Sequence, residues 1–190
     1  MNTNIINKIF PVNKNSINLK YDNEGLWSIT LPDEADLISK MILNDIKDIN
    51  GSVIFDGMSG LGGNLISFSK YFKKVIGFEI NEDRYNLLKN NLNIFNINNA
   101  LIRNESCISH LNEYCDAYFF DPPWGGPNYK NTKSVQITID NLSLYDIVKK
   151  IKQNNKYIYL KLPVNYDLNE FSEFNYKILP IKNYLIITIY

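Results

Sequence analysis

Asp121-Pro122-Pro123-Trp124-Gly125-Gly126-Pro127 gathers the residue types in this chain that could direct a group transfer to nitrogen. An exocyclic amine on an aromatic ring is a poor nucleophile, because its lone pair is delocalised into the ring. A carboxylate such as Asp121 and a rigid backbone carbonyl can accept the amine's hydrogen bonds and turn that lone pair toward an electrophilic carbon. Prolines 122 and 123 fix φ and hold the carbonyl in place. Trp124 can stack on the ring and set its plane; such positioning supplies a large share of the rate when the leaving group is good. Asp121, Pro122 and Trp124 are therefore the candidate catalytic residues, with Pro123 beside them at the substrate. Trp is also the strongest cation–π partner, worth roughly 0.5–2 kcal/mol toward a cation over its face, so a positively charged base is held better than a neutral one. The plain alternative is a Pro-rich surface turn around a buried Trp.

A second constellation is Asp56-Gly57-Met58-Ser59-Gly60-Leu61-Gly62-Gly63-Asn64. It follows a short β-branched run and precedes a helical stretch. Glycines in such a turn let backbone approach a ligand and supply N–H donors at a helix start. The dinucleotide fingerprint needs a further glycine three residues after Gly62, and Leu65 stands there. The turn also begins with Asp56, which repels a pyrophosphate and suits the ammonium of an amino-acid cofactor. Glu79 closes the next strand about 20 residues on, where an acid accepts hydrogen bonds from ribose hydroxyls. Glu105, after the third strand, is placed to meet an adenine amine. Asp56, Gly57, Gly60, Gly62, Asn64, Glu79, Glu105 and Asp121 thus make a candidate cofactor site, and the cofactor they fit is S-adenosylmethionine. Plain alternatives are a solvated strand-end acid for Glu79 and an ordinary loop acid for Glu105.

The elements that must position these groups are legible in the periodicity. Pro32 opens a helix whose first turn carries Asp33, Glu34 and Asp36; Leu37, Ile38, Met41, Ile42, Ile46 and Ile49 form its apolar stripe, and Gly51 ends it. Strands are predicted at 53–55, 75–79, 100–103, 117–120 and 157–161, with a closing pair at 176–179 and 184–189 running antiparallel. Helices are predicted at 64–71, 82–93 and 144–151, with a short one near 107–111; the Asn-rich stretch 90–99 reads as helix ends and turns. Alternation of this kind gives an α/β fold: a Rossmann-like, seven-stranded, mainly parallel sheet with helices on both faces. Ligands bind such sheets beyond the carboxyl ends of the strands, and both constellations fall there. The expected division is an N-terminal extension over 1–31 that covers the site and a catalytic domain over 32–190.

The chain has 190 residues, with Lys+Arg and Asp+Glu both at 20. Zero net charge argues against a broad grip on duplex nucleic acid. Two cysteines, Cys107 and Cys115, and a single His110 leave too little for a disulfide framework or a zinc site, so no metal is expected. No membrane-spanning run and no signal layout are seen, which makes an intracellular home, cytoplasmic or nuclear, the expectation. A monomer is expected.

Pro122 to Pro127, the turn Gly60 to Asn64 and the segment Glu24-Gly25-Leu26-Trp27-Ser28-Ile29-Thr30 together resemble the trimethylguanosine synthase family, over about Asp22 to Tyr190. That family methylates the N2 amine of the 7-methylguanosine cap of RNA. The resemblance implies the class I methyltransferase fold, S-adenosylmethionine as cofactor, and capped RNA or a cap nucleotide as partner. It implies that Trp124 stacks on the methylated guanine and that the segment ending at Thr30 folds over the site to touch cofactor or cap. Departures are Leu26 for an aromatic, an added Leu31 before Pro32, and Asp121 where the animal cap enzymes carry Ser. In Leu162-Pro163-Val164-Asn165, Val164 replaces an Arg that reaches the cap phosphates in the family. Lys161, with Asn165, is a substitute at the substrate, or else a strand-end surface lysine. Two other functions stay open: methylation of a base amino group in tRNA, rRNA or DNA, and a cap-binding module without turnover.

Overall fold

The computed structural model describes residues 3–46, 51–154 and 156–190. Helix α1 (Thr3–Ile9) and helix α2 (Asn23–Ser28) lead into α3 (Pro32–Asp45), followed by β1 (Val53–Asp56), α4 (Gly63–Tyr71), β2 (Lys74–Phe78), α5 (Glu82–Ile94), β3 (Ala100–Arg103) and β4 (Ala117–Phe120). A small hairpin, β5 (Thr138–Ile139) and β6 (Leu142–Ser143), precedes α6 (Leu144–Lys152), β7 (Tyr157–Pro163), β8 (Tyr176–Ile181) and β9 (Tyr184–Ile189). Seven strands form one sheet in the order β3-β2-β1-β4-β7-β9-β8.

The pairings β1–β2, β2–β3, β1–β4 and β4–β7 are parallel, whereas β9 runs antiparallel to both β7 and β8. Of the expected closing pair only β9 is therefore reversed, and β8 points the same way as the parallel strands. Successive residues face opposite layers, as a sheet covered on both sides requires. Ile54, Ala117, Phe119 and Tyr159 pack with α3, α4 and α5, while Phe55, Tyr118, Phe120, Ile158 and Leu160 pack with α6.

Helix α3 starts at Pro32 and carries Asp33 and Glu34 in its first turn, as expected, but its buried face is Ala35, Ile38, Ser39 and Ile42. Leu37 is on the surface, a correction to the predicted stripe. The small residues decide the rotation: Ser39 Oγ bonds Ala35 O at 2.8 Å and meets Ser67 Oγ on α4 at 2.7 Å. Ile49 lies outside the described residues. Helix α5 ends at Ile94, one residue past the predicted 82–93, and Asn90 and Asn91 lie in its last turns as expected. Asn91 is buried there, donating to Lys20 O at 2.9 Å and Leu61 O at 3.1 Å and accepting from Lys20 N at 2.9 Å. Ile6, Ile9, Phe10 and Leu19 join the core of α3–α5, and the N-terminal stretch is tied to α5 by Phe10 against Phe95 and by Asn91 on Lys20. Among the described residues no helix is long and apolar enough to cross a membrane.

Candidate active site

Chain order reverses between β1 and β4, and the crevice beyond their carboxyl ends is where such sheets place ligands. Asp56 ends β1 in register with Phe119 of β4, so Asp121 follows two residues further along the neighbouring strand.

The turn after β1 is shaped by close approach. Gly60 has φ +54° and Gly62 has φ +99°, left-handed values that favour glycine. A Cβ at Gly60 would meet nothing within 4 Å, leaving open space beside a backbone N–H that donates to Glu79 Oε2 at 3.0 Å. The other oxygen of Glu79 accepts from Asn81 N at 2.8 Å. Burial raises the Glu79 pKa against these stabilising bonds. Gly57 has a different reason to be glycine: a Cβ there would lie 2.6 Å from the Phe120 ring. Its N–H is spent on Phe119 O at 2.9 Å.

Asp56 is fully enclosed, and neither carboxylate oxygen has a hydrogen-bond partner. Burial pushes its pKa up to about 7, opposed by the Ser59 side chain and the Met58 backbone that approach the carboxylate, and helped to a smaller extent by the Asp121 and Glu79 charges. Asn64, at the start of α4, likewise holds a buried Oδ1 without a partner. Buried acceptors left unpaired are costly and mark places where a donor is wanted. Two such groups, Asp56 and Asn64, stand at either end of the Gly-rich turn.

Asp121 stands at the centre of a four-residue cluster. Its Oδ2 accepts from Lys161 Nζ at 2.7 Å, from Thr30 Oγ1 at 3.2 Å and, longer, from Asn64 Nδ2 at 3.5 Å. Thr30 also accepts from Asn64 Nδ2 at 3.0 Å and Lys161 Nζ at 2.8 Å. Thr30, at the end of the 24–30 segment, thus makes contact with Asp121, Asn64 and Lys161. Lys161 was expected at a phosphate or on the surface; it is buried at 5% exposure and ion-paired with Asp121 instead.

Trp124 is half-buried. Its Nε1 donates to Lys161 O at 3.3 Å, and its ring meets Tyr129 edge-on with centroids 5.1 Å apart. Pro122 is buried and Pro123 exposed. Asn165, expected at the substrate, ties down the loop after the Trp: Nδ2 donates to Tyr129 O and Thr132 O, both at 2.9 Å. Val164 is exposed. Glu105 lies at the rim with its carboxylate against His110 Nε2 at 3.2 Å and is not joined to the cluster around Asp121.

Three contributors escaped sequence reasoning. Arg84 on α5 bonds Asp22, the N-cap of α2, through Nε at 3.1 Å and Nη2 at 2.8 Å, and also Glu24 at 2.8 Å. Nothing local to Arg84 announces this. Gly63 lets Thr30 lie against the start of α4, and the doubled Gly62-Gly63 was its available trace. The β5–β6 hairpin turns on Asp140 and Asn141, both with positive φ, a conformation that Asp and Asn adopt more readily than other non-glycine residues.

The model of the RNA cap guanine-N2 methyltransferase family matches residues 51–188. The chain belongs to that family. The methyltransferase is 32% identical over 176 residues to an uncharacterized protein of Acanthamoeba polyphaga mimivirus, covering 79% of this chain and 69% of that protein. It is 28% identical over 168 residues to the trimethylguanosine synthase of Schizosaccharomyces pombe, covering 80% and 69%. Among solved structures it superposes on an S-adenosylmethionine-dependent O-methyltransferase of Thermotoga maritima with TM-score 0.59 at 16% identity, covering 85% of this chain and 66% of that one. An rRNA methylase of Streptococcus thermophilus gives TM-score 0.56 at 16% identity over 85% and 96%. These likenesses show the class I methyltransferase fold. Family membership makes S-adenosylmethionine the cofactor, supplying an electrophilic methyl on a sulfonium that leaves as a neutral thioether.

Proposed function

We propose that this methyltransferase acts on the exocyclic N2 amine of a 7-methylguanosine RNA cap, giving the 2,7-dimethyl cap and, by a second transfer, the 2,2,7-trimethyl cap. The observation that carries the reading is Trp124 in its Pro-Pro-Trp-Gly-Gly-Pro frame, directly after Asp121 at the reversal of strand order. Trp124 provides a ring face for the cationic purine, and the edge-on Tyr129 keeps that indole in place. Asp121, and the carbonyl held by the prolines, accept the amine N–H groups so that the nitrogen lone pair faces the methyl carbon. The bound cofactor would supply the methyl carbon and carry off the sulfur as a neutral thioether, which would leave positive charge on the amine nitrogen. It then sheds one proton, which the carboxylate of Asp121 or water takes. Asp56 and Asn64 hold the ammonium end of the cofactor and Glu79 its ribose. Positioning of this kind, rather than an acid–base couple, is what a methyl transfer with so good a leaving group needs.

The test is mass spectrometry of 7-methylguanosine diphosphate after incubation with S-adenosylmethionine, beside unmethylated GDP and a capped and an uncapped RNA. Methyl gain on the free methylated nucleotide and none on GDP is the expected result. Equal gain on both, gain on the uncapped RNA alone, or no gain would overturn it. Trp124→Ala should raise the KM for the nucleotide by about 10- to 100-fold, the loss of one base–aromatic stack, with cofactor affinity nearly unchanged.

A further inference from the structure

Lys161 carries a charge for which methyl transfer itself has no obvious need. Taking an ammonium out of water is costly unless it is paired and hydrogen-bonded. Here the pairing is close: Nζ has Asp121 Oδ2 at 2.7 Å and Thr30 Oγ1 at 2.8 Å. The rings of Tyr184 and Trp124 flank it, with centroids 4.8 and 5.5 Å away. The same residue's backbone carbonyl receives the indole N–H of Trp124 at 3.3 Å. One strand position in β7 thus touches both the carboxylate and the aromatic plate of the reacting site, and also the segment that covers them.

The carboxylate is used unevenly. Oδ2 of Asp121 receives Lys161, Thr30 and Asn64. Oδ1 has no hydrogen-bond partner among the described residues and is not fully enclosed. Donors crowded onto one oxygen fix the plane of the carboxylate and leave the other oxygen as the acceptor for the amine.

We propose that Lys161 is a positioning residue. It locks Asp121 so that Oδ1 alone receives the substrate N–H, and through Thr30 it holds the covering segment shut over that arrangement. Lys161 and Asp121 work as a unit in which neither charge is useful without the other, and Lys161 is not a ligand for phosphate. The step it serves is amine methylation; the choice of probe nucleotide rests on the cap reading.

The experiment is a double-mutant cycle of Lys161→Met and Asp121→Asn on the full chain. It measures kcat and KM for 7-methylguanosine diphosphate and the calorimetric Kd for S-adenosylmethionine. Lys161→Met should lower kcat roughly a hundredfold, as a misplaced reacting group does, with KM and Kd changed by no more than about twofold. In the Asp121→Asn background the same substitution should cost little more. Losses that multiply independently, or a raised KM with intact kcat as a phosphate ligand would give, overturn the proposal. Hydrogen exchange at the amides of Leu26 and Ile29 gives a readout that needs no substrate. It should quicken in Lys161→Met and, should that variant fold poorly, in Thr30→Val, which buries no unpaired charge. Unchanged protection overturns the inference. An inactive wild-type chain with quickened exchange in the variants counts against the cap reading alone.

Discussion

Glu79 divides its carboxylate between two backbone N–H groups, with Oε2 on Gly60 at 3.0 Å and Oε1 on Asn81 at 2.8 Å. One acid thereby fixes both the Gly-rich turn after β1 and the turn into α5. A carboxylate has about four lone-pair sites, so each oxygen keeps capacity for a ribose hydroxyl.

Glu79→Gln is expected to weaken S-adenosylmethionine binding by about 10- to 100-fold. An amide has one acceptor oxygen, so its NH2 must face either the Gly60 or the Asn81 N–H. Hydrogen bonds to a charged group are worth about 1.5–3 kcal/mol. Isothermal titration with S-adenosylhomocysteine measures the loss, and an affinity within about twofold of the wild type refutes the assignment.

Asp56 sets a pH dependence whose sign is fixed by its environment. Burial raises its pKa from 3.8 unfolded to about 7 folded. Between those values the unfolded chain releases a proton that the folded chain retains. The contribution to stability is therefore greatest below about pH 4, falls as pH rises toward about 7, and levels off above. A cation bound at this carboxylate favours the ionised form, so cofactor affinity should rise through the same window. Asp56→Asn should flatten both profiles, stabilise the free protein near pH 8 and weaken the cofactor. Denaturant unfolding and titration across that range check it; a wild-type cofactor affinity flat in pH contradicts it.

Much of this site could be read from the chain because its parts end strands. A parallel sheet covered on both faces writes its strands as apolar runs such as Ala117 to Phe120, and the first polar residue after such a run marks the carboxyl end. Asp56, Glu79 and Asp121 are all found that way. Lys161 was misread for the converse reason. Its partners Asp121 and Thr30 are 40 and 131 residues away, and a lone lysine in a strand gives no local sign that it is buried. Leu37 was misassigned because Ala35 and Ser39, the residues that let α3 approach α4, score as weakly apolar or polar. In each case long-range packing overrode a local pattern.

Asn165 supports the Trp124 loop from outside the motif. Its side-chain amide holds the carbonyls of Tyr129 and Thr132, and Tyr129 in turn braces the indole. Asn165→Ala removes two hydrogen bonds of about 1 kcal/mol each. The expected result is a KM for 7-methylguanosine diphosphate raised by roughly 10-fold, with the S-adenosylmethionine Kd unmoved. A variant whose nucleotide KM matches the wild type shows the loop to be held by other contacts.

Gly63 controls how closely the covering segment approaches. A Cβ there would sit 2.7 Å from the Thr30 carbonyl oxygen and 2.7 Å from Ile29 Cγ1, and a backbone oxygen yields only if the segment moves. Gly63 is the first residue of α4, where Ala is no worse than Gly for the helix itself. The cost of Gly63→Ala therefore falls on the contact: it should lower thermal stability by forcing that backbone aside and, by drawing Thr30 off Asp121 and Lys161, lower kcat/KM by roughly a hundredfold per folded molecule. Gly60→Ala is the contrasting variant. Its Cβ meets no atom, but its φ of +54° costs a side chain about 1–2 kcal/mol, so stability should fall as well as cofactor binding. If Gly63→Ala keeps its turnover per folded molecule, the close approach at this helix start serves only packing, and the segment ending at Thr30 has no part in catalysis.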